Sequence, residues 1–357
     1  MSRLRAQFKK FTLKFRRPMG TSRGVLHQRD TYLLAVGEAD CGALGLGECA
    51  PLPGLSPDAR PDFERKLQEV CAALHAGEAP AGLDLTTWPA VRFGLEAALL
   101  DRQNGGRQRW FETEFTRGRQ TLPTNGLVVM GDFDAMLQQA FEKIALGFDC
   151  IKIKVGALDF DAECELLAAL RKRYPPEQIT LRLDANGAFT PESALEKLER
   201  LSRFGIHSLE QPIRPGQWDE LARLCERSPI AIALDEELIG LTDPAEKREL
   251  LRAVRPRYLI LKPTLLGGLR AAEAWIALAN EHGLGYWVTS ALESNVGLNI
   301  ISQWTSTRPV TTHQGLGTGQ LFTANFPAPL RVERGHLTYQ PDGPRLTFDS
   351  LDQLQLG

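Results

Sequence analysis

The sequence contains no apolar run of bilayer length, no excess of either charge and no pair of cysteines at CxxC spacing. Each absence removes a class of function. Without about 20 consecutive apolar residues there is no candidate transmembrane helix, and the Arg16-Arg17 pair is not followed by the apolar stretch of a secretion signal. The cytoplasm is the expected location. Lys plus Arg number 42 against 44 Asp plus Glu, so no global field draws the protein to nucleic acid or to an anionic membrane. Function is therefore expected in a site that takes a small molecule, and the sequence leaves the oligomeric state open. The six cysteines (Cys41, Cys49, Cys71, Cys150, Cys164, Cys225) are scattered through a chain large enough not to need staples. Buried free thiols are expected. His27, His75, His207, His282 and His336 follow no ligand spacing and are read as structural or surface residues.

At 357 residues the chain exceeds what one hydrophobic core usually organises, so two domains are expected. Over residues 5–50, alternating segments (Phe11 to Phe15, Tyr32 to Val36, Ala43 to Gly47) separated by Gly and polar turns predict an antiparallel meander. Apolar residues at three-to-four spacing then predict helices over Asp58 to Leu74 and Trp88 to Leu100. After residue 120 short β-rich runs alternate with longer amphipathic stretches, the pattern of repeated βα units. Eight strands are expected: Thr124 to Val129, Cys150 to Lys154, Thr180 to Asp184, Ser208 to Glu210, Ala231 to Asp235, Tyr258 to Lys262, Gly285 to Val288 and Val310 to His313. That number over about 200 residues suits a closed TIM-type barrel better than an open doubly wound sheet. The predicted organisation is an α+β module over 1–120, a barrel over 121–321 and a return to the first module over 322–357, with a last strand at Arg345 to Phe348.

In such a barrel the chemistry lies where strands end. Five consecutive strands end in ionisable residues: Lys152-Ile153-Lys154, then Asp184, Glu210, Asp235-Glu236 and Lys262. A solvated cap is the ordinary explanation for any one of them, but five in succession weaken it. Asp184, Glu210 and Asp235 on neighbouring strands would repel unless a cation neutralised them. All-oxygen ligation favours Mg²⁺, with Mn²⁺ also possible, over Zn²⁺. Lys154 and Lys262, four strands apart, are expected to face each other across the barrel mouth. Lys152 and Lys154 share a strand face, and their repulsion together with the cation is expected to lower their pKa from about 10.4, making lysine a usable base. A cation chelating a substrate carboxylate would stabilise the enediolate left by removal of the α proton.

These residues in this order resemble the enolase superfamily, in its muconate lactonizing enzyme subgroup. The carriers are Lys152-x-Lys154, Asp184-Ala185-Asn186-Gly187, Glu210-Gln211-Pro212, Asp235-Glu236 and Lys262-Pro263, with spacings of 30, 26, 25 and 27 between the functional positions. The resemblance covers nearly the whole chain. It implies a (β/α)7β barrel under an α+β capping domain formed by N- and C-terminal segments, with a lysine base and Mg²⁺. Thr21 to Gly24 and Pro51 to Ser56, including Leu52 and Gly54, would be the capping loops over the substrate, and Asn186 and Glu236 would support the ligands and bases. Within the subgroup, Gly47 to Ser56, Ser290 to Leu298 and His313 to Thr318 are most similar to the o-succinylbenzoate synthases. That family dehydrates 2-succinyl-6-hydroxy-2,4-cyclohexadiene-1-carboxylate in menaquinone biosynthesis. The resemblance implies that Lys154 moves the proton, that Lys262 stabilises the charge, and that backbone groups around Ser290, Ala291 and Gly315 hold the succinyl end.

Rival readings make different demands. Dipeptide epimerases of the subgroup carry an Asp-x-Asp pair near the last strand, where this chain has Gln314 to Gly319 without an acid. N-acylamino acid racemases share the lysines and metal ligands. A mandelate-racemase type of site needs a catalytic histidine; His313 is near such a position, but Lys262 fills the opposite face, so His313 is read as structural. Outside the superfamily, a Schiff-base aldolase would use a barrel lysine covalently, and a non-catalytic binding barrel would not need it at all.

Overall fold

A computed structural model describes residues 4–21, 24–38 and 41–347. The N-terminal alternation becomes three long antiparallel strands in sequence order: β1 (Leu4–Thr21), β2 (Gly24–Glu38) and β3 (Cys41–Cys49). Helices α1 (Phe63–Ala76) and α2 (Pro89–Gln103) cover one face of this sheet, with Tyr32, Leu34, Val36, Leu67, Val70 and Leu95 in the core between them. Close approach of α2 to β3 depends on glycine. A Cβ at Gly47 would stand 2.0 Å from the Gly94 carbonyl oxygen. The first helix begins at Phe63 rather than at Asp58, because Pro61 disfavours helical backbone at Arg60. Asp58 instead accepts from the Ala90 and Val91 amides at 2.8 and 3.4 Å, closing the N-terminus of α2.

From β4 (Leu122–Pro123) the chain enters the alternating region: β5 (Gly126–Val128), α3 (Phe133–Ala145), β6 (Cys150–Lys154), α4 (Phe160–Arg173), β7 (Thr180–Asp184), α5 (Pro191–Ser202), β8 (Ile206–Glu210), α6 (Trp218–Arg227), β9 (Ile232–Leu234), α7 (Pro244–Val254), β10 (Tyr258–Leu261), α8 (Pro263–Leu266), α9 (Leu269–Glu281), β11 (Gly285–Val288) and α10 (Asn295–Thr305). Strands β5 to β11 form one parallel sheet in sequence order. One set of alternate residues (Ile151, Ile153, Leu181, Leu183, Leu209, Leu259, Leu261) joins the helices in the main core, which leaves the other set for the barrel interior. The chain is thus an α/β protein of TIM-barrel type.

The expected eighth strand over Val310 to His313 does not form. Closure occurs just beyond it, where Gln314 bridges Thr124 and Gly315 bridges Thr289. Side chains account for the shift: the Arg182 guanidinium donates to the His313 carbonyl and to Thr312 Oγ1, and the His313 ring lies 2.7 Å from Asp149. His313 is therefore structural, near the start of β6. A Cβ at Gly315 would meet Thr289 Oγ1 at 2.0 Å, so the seam requires glycine there.

After the barrel, Phe322 bridges Phe15, and Phe322 and Phe326 pack with Leu13 and Phe15 of the N-terminal sheet. The hairpin β12 (Leu330–Glu333) and β13 (His336–Tyr339) pairs with β4. The strand expected at Arg345 to Phe348 is absent over 345–347, where the chain is irregular, and Phe348 lies outside the described residues. Cys49, Cys71, Cys150, Cys164 and Cys225 are free thiols. No helix among the described residues is long and apolar enough to cross a membrane.

Candidate active site

Inward side chains of the barrel strands form layers. The lower layer holds Arg182 3.9 Å above the Trp287 ring, with Ala233 and Ile260 packed alongside Trp287. That apolar and aromatic floor closes the barrel. Above it, strand register brings Lys154 beside Asp184 and Asp184 beside Glu210. Asp235 and Lys262 are the first residues after β9 and β10.

The side-chain heads meet in ion pairs. Lys152 Nζ lies 2.9 Å from Asp184 and 2.6 Å from Glu210, Lys154 Nζ lies 3.8 Å from Asp184, and Lys262 pairs with Asp235. Lys154 also donates to Asn186 Oδ1 at 2.5 Å, and Asn186 Nδ2 donates to Glu236 at 2.9 Å. Asn186 holds this bridge with φ of 43°, a left-handed conformation uncommon for a non-glycine residue.

Four carboxyl groups and three lysine amines share this buried site. The carboxylates set the direction of the Lys152 shift. Burial alone would lower the pKa, but Asp184, Glu210 and Asp235 outweigh burial and hold Lys152 above the usual lysine range. Burial is likewise outweighed at Lys262, held high by Asp235 and Glu210. Burial would raise Asp184, yet the ammonium groups of Lys152, Lys154 and Lys262 hold it below the ordinary carboxylate range. Glu210 goes the other way despite its contact with Lys152, since burial and the Asp184 charge exceed what one shared ammonium can neutralise. Burial also raises Asp235 and Glu236.

The donor set suits a hard divalent cation. Glu210 Oε1 is buried without a hydrogen-bond partner, and the three carboxylates offer only oxygen. With lysine ammonium groups against Asp184, Glu210 and Asp235, no three acidic, histidine or cysteine side chains among the described residues stand as a ready-made ion cage.

A cavity of about 1040 Å³, open solvent at its mouth included, lies over these heads. Lys152, Lys154, Lys262, Asp184, Asn186 and Glu236 line one part of it; Glu210 and Asp235 do not reach its surface. Leu52, Pro53 and Leu55 descend from the capping loop. Gly54 does not line the cavity: it is exposed, and its φ of 75° turns the loop so that its neighbours face inward. Of the other predicted loop, Ser22 and Arg23 lie outside the described residues, while Met19 and Gly20 on β1 reach the cavity.

Two families match the sequence: one described as Enolase C-terminal domain-like over residues 135–347, and one described as MenC, N-terminal domain, over residues 4–102. The chain is 47% identical to the o-succinylbenzoate synthase of Desulfotalea psychrophila, over 94% of this chain and 99% of that relative. The chain belongs to the o-succinylbenzoate synthase family of the enolase superfamily. The crystal structure of MenC from Desulfotalea psychrophila LSv54 superposes with a TM-score of 0.84 at 42% identity, covering 94% of this chain and 100% of that one. A dipeptide epimerase from Cytophaga hutchinsonii, complexed with Mg and the dipeptide D-Ala-L-Val, shares the fold with a TM-score of 0.81 at 21% identity, over 99% of each chain.

In this synthase-family chain the loop after β11 differs from expectation. Ser290, Ala291 and Gly315 do line the cavity, but their amides are already engaged: Ser290 N donates to the Gly315 carbonyl, Ala291 N to Glu293, and Gly315 N to the Val288 carbonyl. They shape the wall without offering free N–H groups. Sequence reasoning also missed the network behind that wall. Arg29 of β2, 2% exposed, donates from Nη1 to the carbonyls of Ala291 and Leu292 at 2.7 Å each. Glu48 of β3 accepts from Ser294 N, Ser294 Oγ and Gly297 N at the start of α10. Buried charged residues on otherwise apolar strands were the available signal.

Proposed function

We propose that the protein is an o-succinylbenzoate synthase, converting 2-succinyl-6-hydroxy-2,4-cyclohexadiene-1-carboxylate into aromatic 2-succinylbenzoate and water, a step of menaquinone biosynthesis in the cytoplasm. The observation that carries this reading is that Lys154 and Lys262 open into one cavity beside a buried row of carboxylates. Asp184, Glu210 and Asp235 would hold Mg²⁺ or Mn²⁺, which supplies Lewis-acid stabilisation of charge developing on the substrate carboxylate. Lys154 takes the ring proton next to that carboxylate, and the ring C–O bond then breaks as the departing hydroxyl receives the proton from Lys154 and leaves as water. Asn186 fixes the Lys154 amine at 2.5 Å, so the amine is aimed before substrate arrives. Lys262 remains an ammonium, held so by Asp235, and its positive charge faces the substrate as negative charge builds. Lys152 keeps two carboxylates together and is not needed as the base.

The wall formed by Gly315, Gly317 and Thr318 carries no acid, which leaves a dipeptide ammonium without a counter-charge and disfavours the epimerase reading. A racemase acting on an N-acylamino acid is the second reading, favoured by the presence of both Lys154 and Lys262 in one cavity. A Schiff-base aldolase needs a neutral, free amine, whereas Lys262 is held charged by its carboxylates. The test is to incubate the protein and Mg²⁺ with the cyclohexadiene and follow aromatic absorbance, beside an N-succinylamino acid in D₂O. Rapid dehydration that stops with chelator and returns with Mg²⁺ is expected. Deuterium exchange without dehydration would reverse the order of the two readings, and borohydride trapping of a lysine would replace both.

A further inference from the structure

The proposed substrate carries two carboxylates, one on the ring and one at the tip of the succinyl side chain. A carboxylate that leaves water for a pocket needs a counter-charge or donors there, and the lysine and carboxylate side of the cavity accounts for the ring carboxylate only. The other polar groups of the wall are mostly committed. Thr289 Oγ1 donates to the Gly315 carbonyl, Ser290 Oγ donates to Glu293, and Asn186 is spent between Lys154 and Glu236. Thr318 Oγ1 is shut off from solvent, and Asn125 carries a neutral carboxamide that adds no charge. Lys152, Lys154 and Lys262 each lie against a carboxylate.

Lys143 remains. It stands near the end of α3 and passes the start of β5, where Gly126 leaves room: a Cβ on that glycine would meet Lys143 Cβ at 3.0 Å. Lys143 and Gly126 both line the cavity, together with Phe148, whose ring centroid is 5.5 Å from Lys143 Nζ. Half-buried, this ammonium forms no ion pair with any acid among the described residues. Burial and the nearby Arg17 charge press it below the ordinary lysine range, and only Glu142, its neighbour on the helix, acts the other way. Arg17 belongs to the stretch where β1 slips register between Lys14 and Met19, and Met19 and Gly20 just beyond it line the cavity. The cavity thus holds one cation with no acid of its own, backed by a second positive charge. Leu127 and Leu321 in the same lining offer apolar surface suited to the methylenes of a succinyl chain.

Resting on the proposed function, we propose that the Lys143 ammonium is the counter-charge that binds the terminal carboxylate of the substrate's succinyl side chain. The pairing gives the ammonium the acid it lacks and lets the protein recognise that chain while the loop after β11 has no free N–H to offer. Lys143→Met keeps the aliphatic stem beside Phe148 and removes a charge that no acid supports, so the fold should tolerate it. Lys143→Arg keeps the charge and is the second variant.

The experiment is titration calorimetry of Mg²⁺-loaded protein with 2-succinylbenzoate, with 2-butyrylbenzoate, which keeps the ketone and lacks the terminal carboxylate, and with benzoate. Wild type should bind 2-succinylbenzoate more tightly than 2-butyrylbenzoate. Lys143→Met should bind 2-succinylbenzoate on the order of tenfold more weakly, the equivalent of one lost charge-assisted hydrogen bond, with the other two ligands unchanged. Lys143→Arg should recover most of that loss. Unchanged affinity of Lys143→Met for 2-succinylbenzoate, or a loss shared equally by all three ligands, overturns the assignment. Absence of aromatic product when wild type meets the cyclohexadiene would instead overturn the proposed function, and because the titrations need no turnover the two failures are distinguishable.

Discussion

Lys152 and Lys154 stand two residues apart on one strand and meet different neighbours. Lys152 is enclosed by two carboxylates, whereas Lys154 reaches an amide, and both line the cavity. Removing the Lys152 ammonium leaves Asp184 and Glu210 buried without their shared partner, a change that typically costs about 3–5 kcal/mol. Lys152→Met is therefore expected to unfold at a lower temperature in chelator and to gain more from added Mg²⁺ than wild type does, as thermal unfolding with and without the ion would show. Equal Mg²⁺ stabilisation of both proteins would argue against the cation site. The five ionisable heads were legible because each closes an apolar strand. The direction of the Lys152 shift was not, because it depends on distances to carboxylates that come from other strands.

At the scale of elements, strand and helix periods located nearly every barrel unit, and the misses have local causes. The eighth strand moved to Gln314 and Gly315 because Arg182 and Asp149 hold the preceding residues by their side chains. Helix α1 started late because Pro61 disfavours helical backbone at Arg60. Asp58, read as the start of that helix, caps α2 while its Oδ1 stays buried and unpartnered. Burial pushes its carboxyl up to about 6. A folded-state value above the unfolded one favours the neutral acid, so the contribution is fullest below about pH 4 and is lost as pH rises through about 6. Compared with Asp58→Asn, wild type should lose up to about 3 kcal/mol between pH 4 and pH 7, from two pKa steps of about 1.4 kcal/mol each. Urea midpoints of both proteins at the two pH values measure this, and a pH-independent difference would refute it.

Over the whole molecule, the N-terminal sheet and the barrel meet at the substrate wall. Arg29 on β2 grips the carbonyls of Ala291 and Leu292, and Glu48 on β3 grips the start of α10, so docking of the cap and the shape of the cavity are one event. Arg29→Met should lower kcat/KM about 10- to 100-fold through misplacement of that wall. Lys10→Met, which breaks exposed pairs with Asp30 and Glu64 in the cap, should leave it unchanged. Steady-state kinetics of the two variants decide the matter, and equal losses would mean that cap stability alone is at stake. This joint was not legible in the sequence, because its partners lie more than 240 residues apart. The central claim is that the Lys154 amine moves the proton. Lys154→Ala, assayed in a single turnover with Mg²⁺ and the cyclohexadiene, should form aromatic product about 10²- to 10⁴-fold more slowly than wild type while still binding 2-succinylbenzoate; product formation at the wild-type rate would contradict the account.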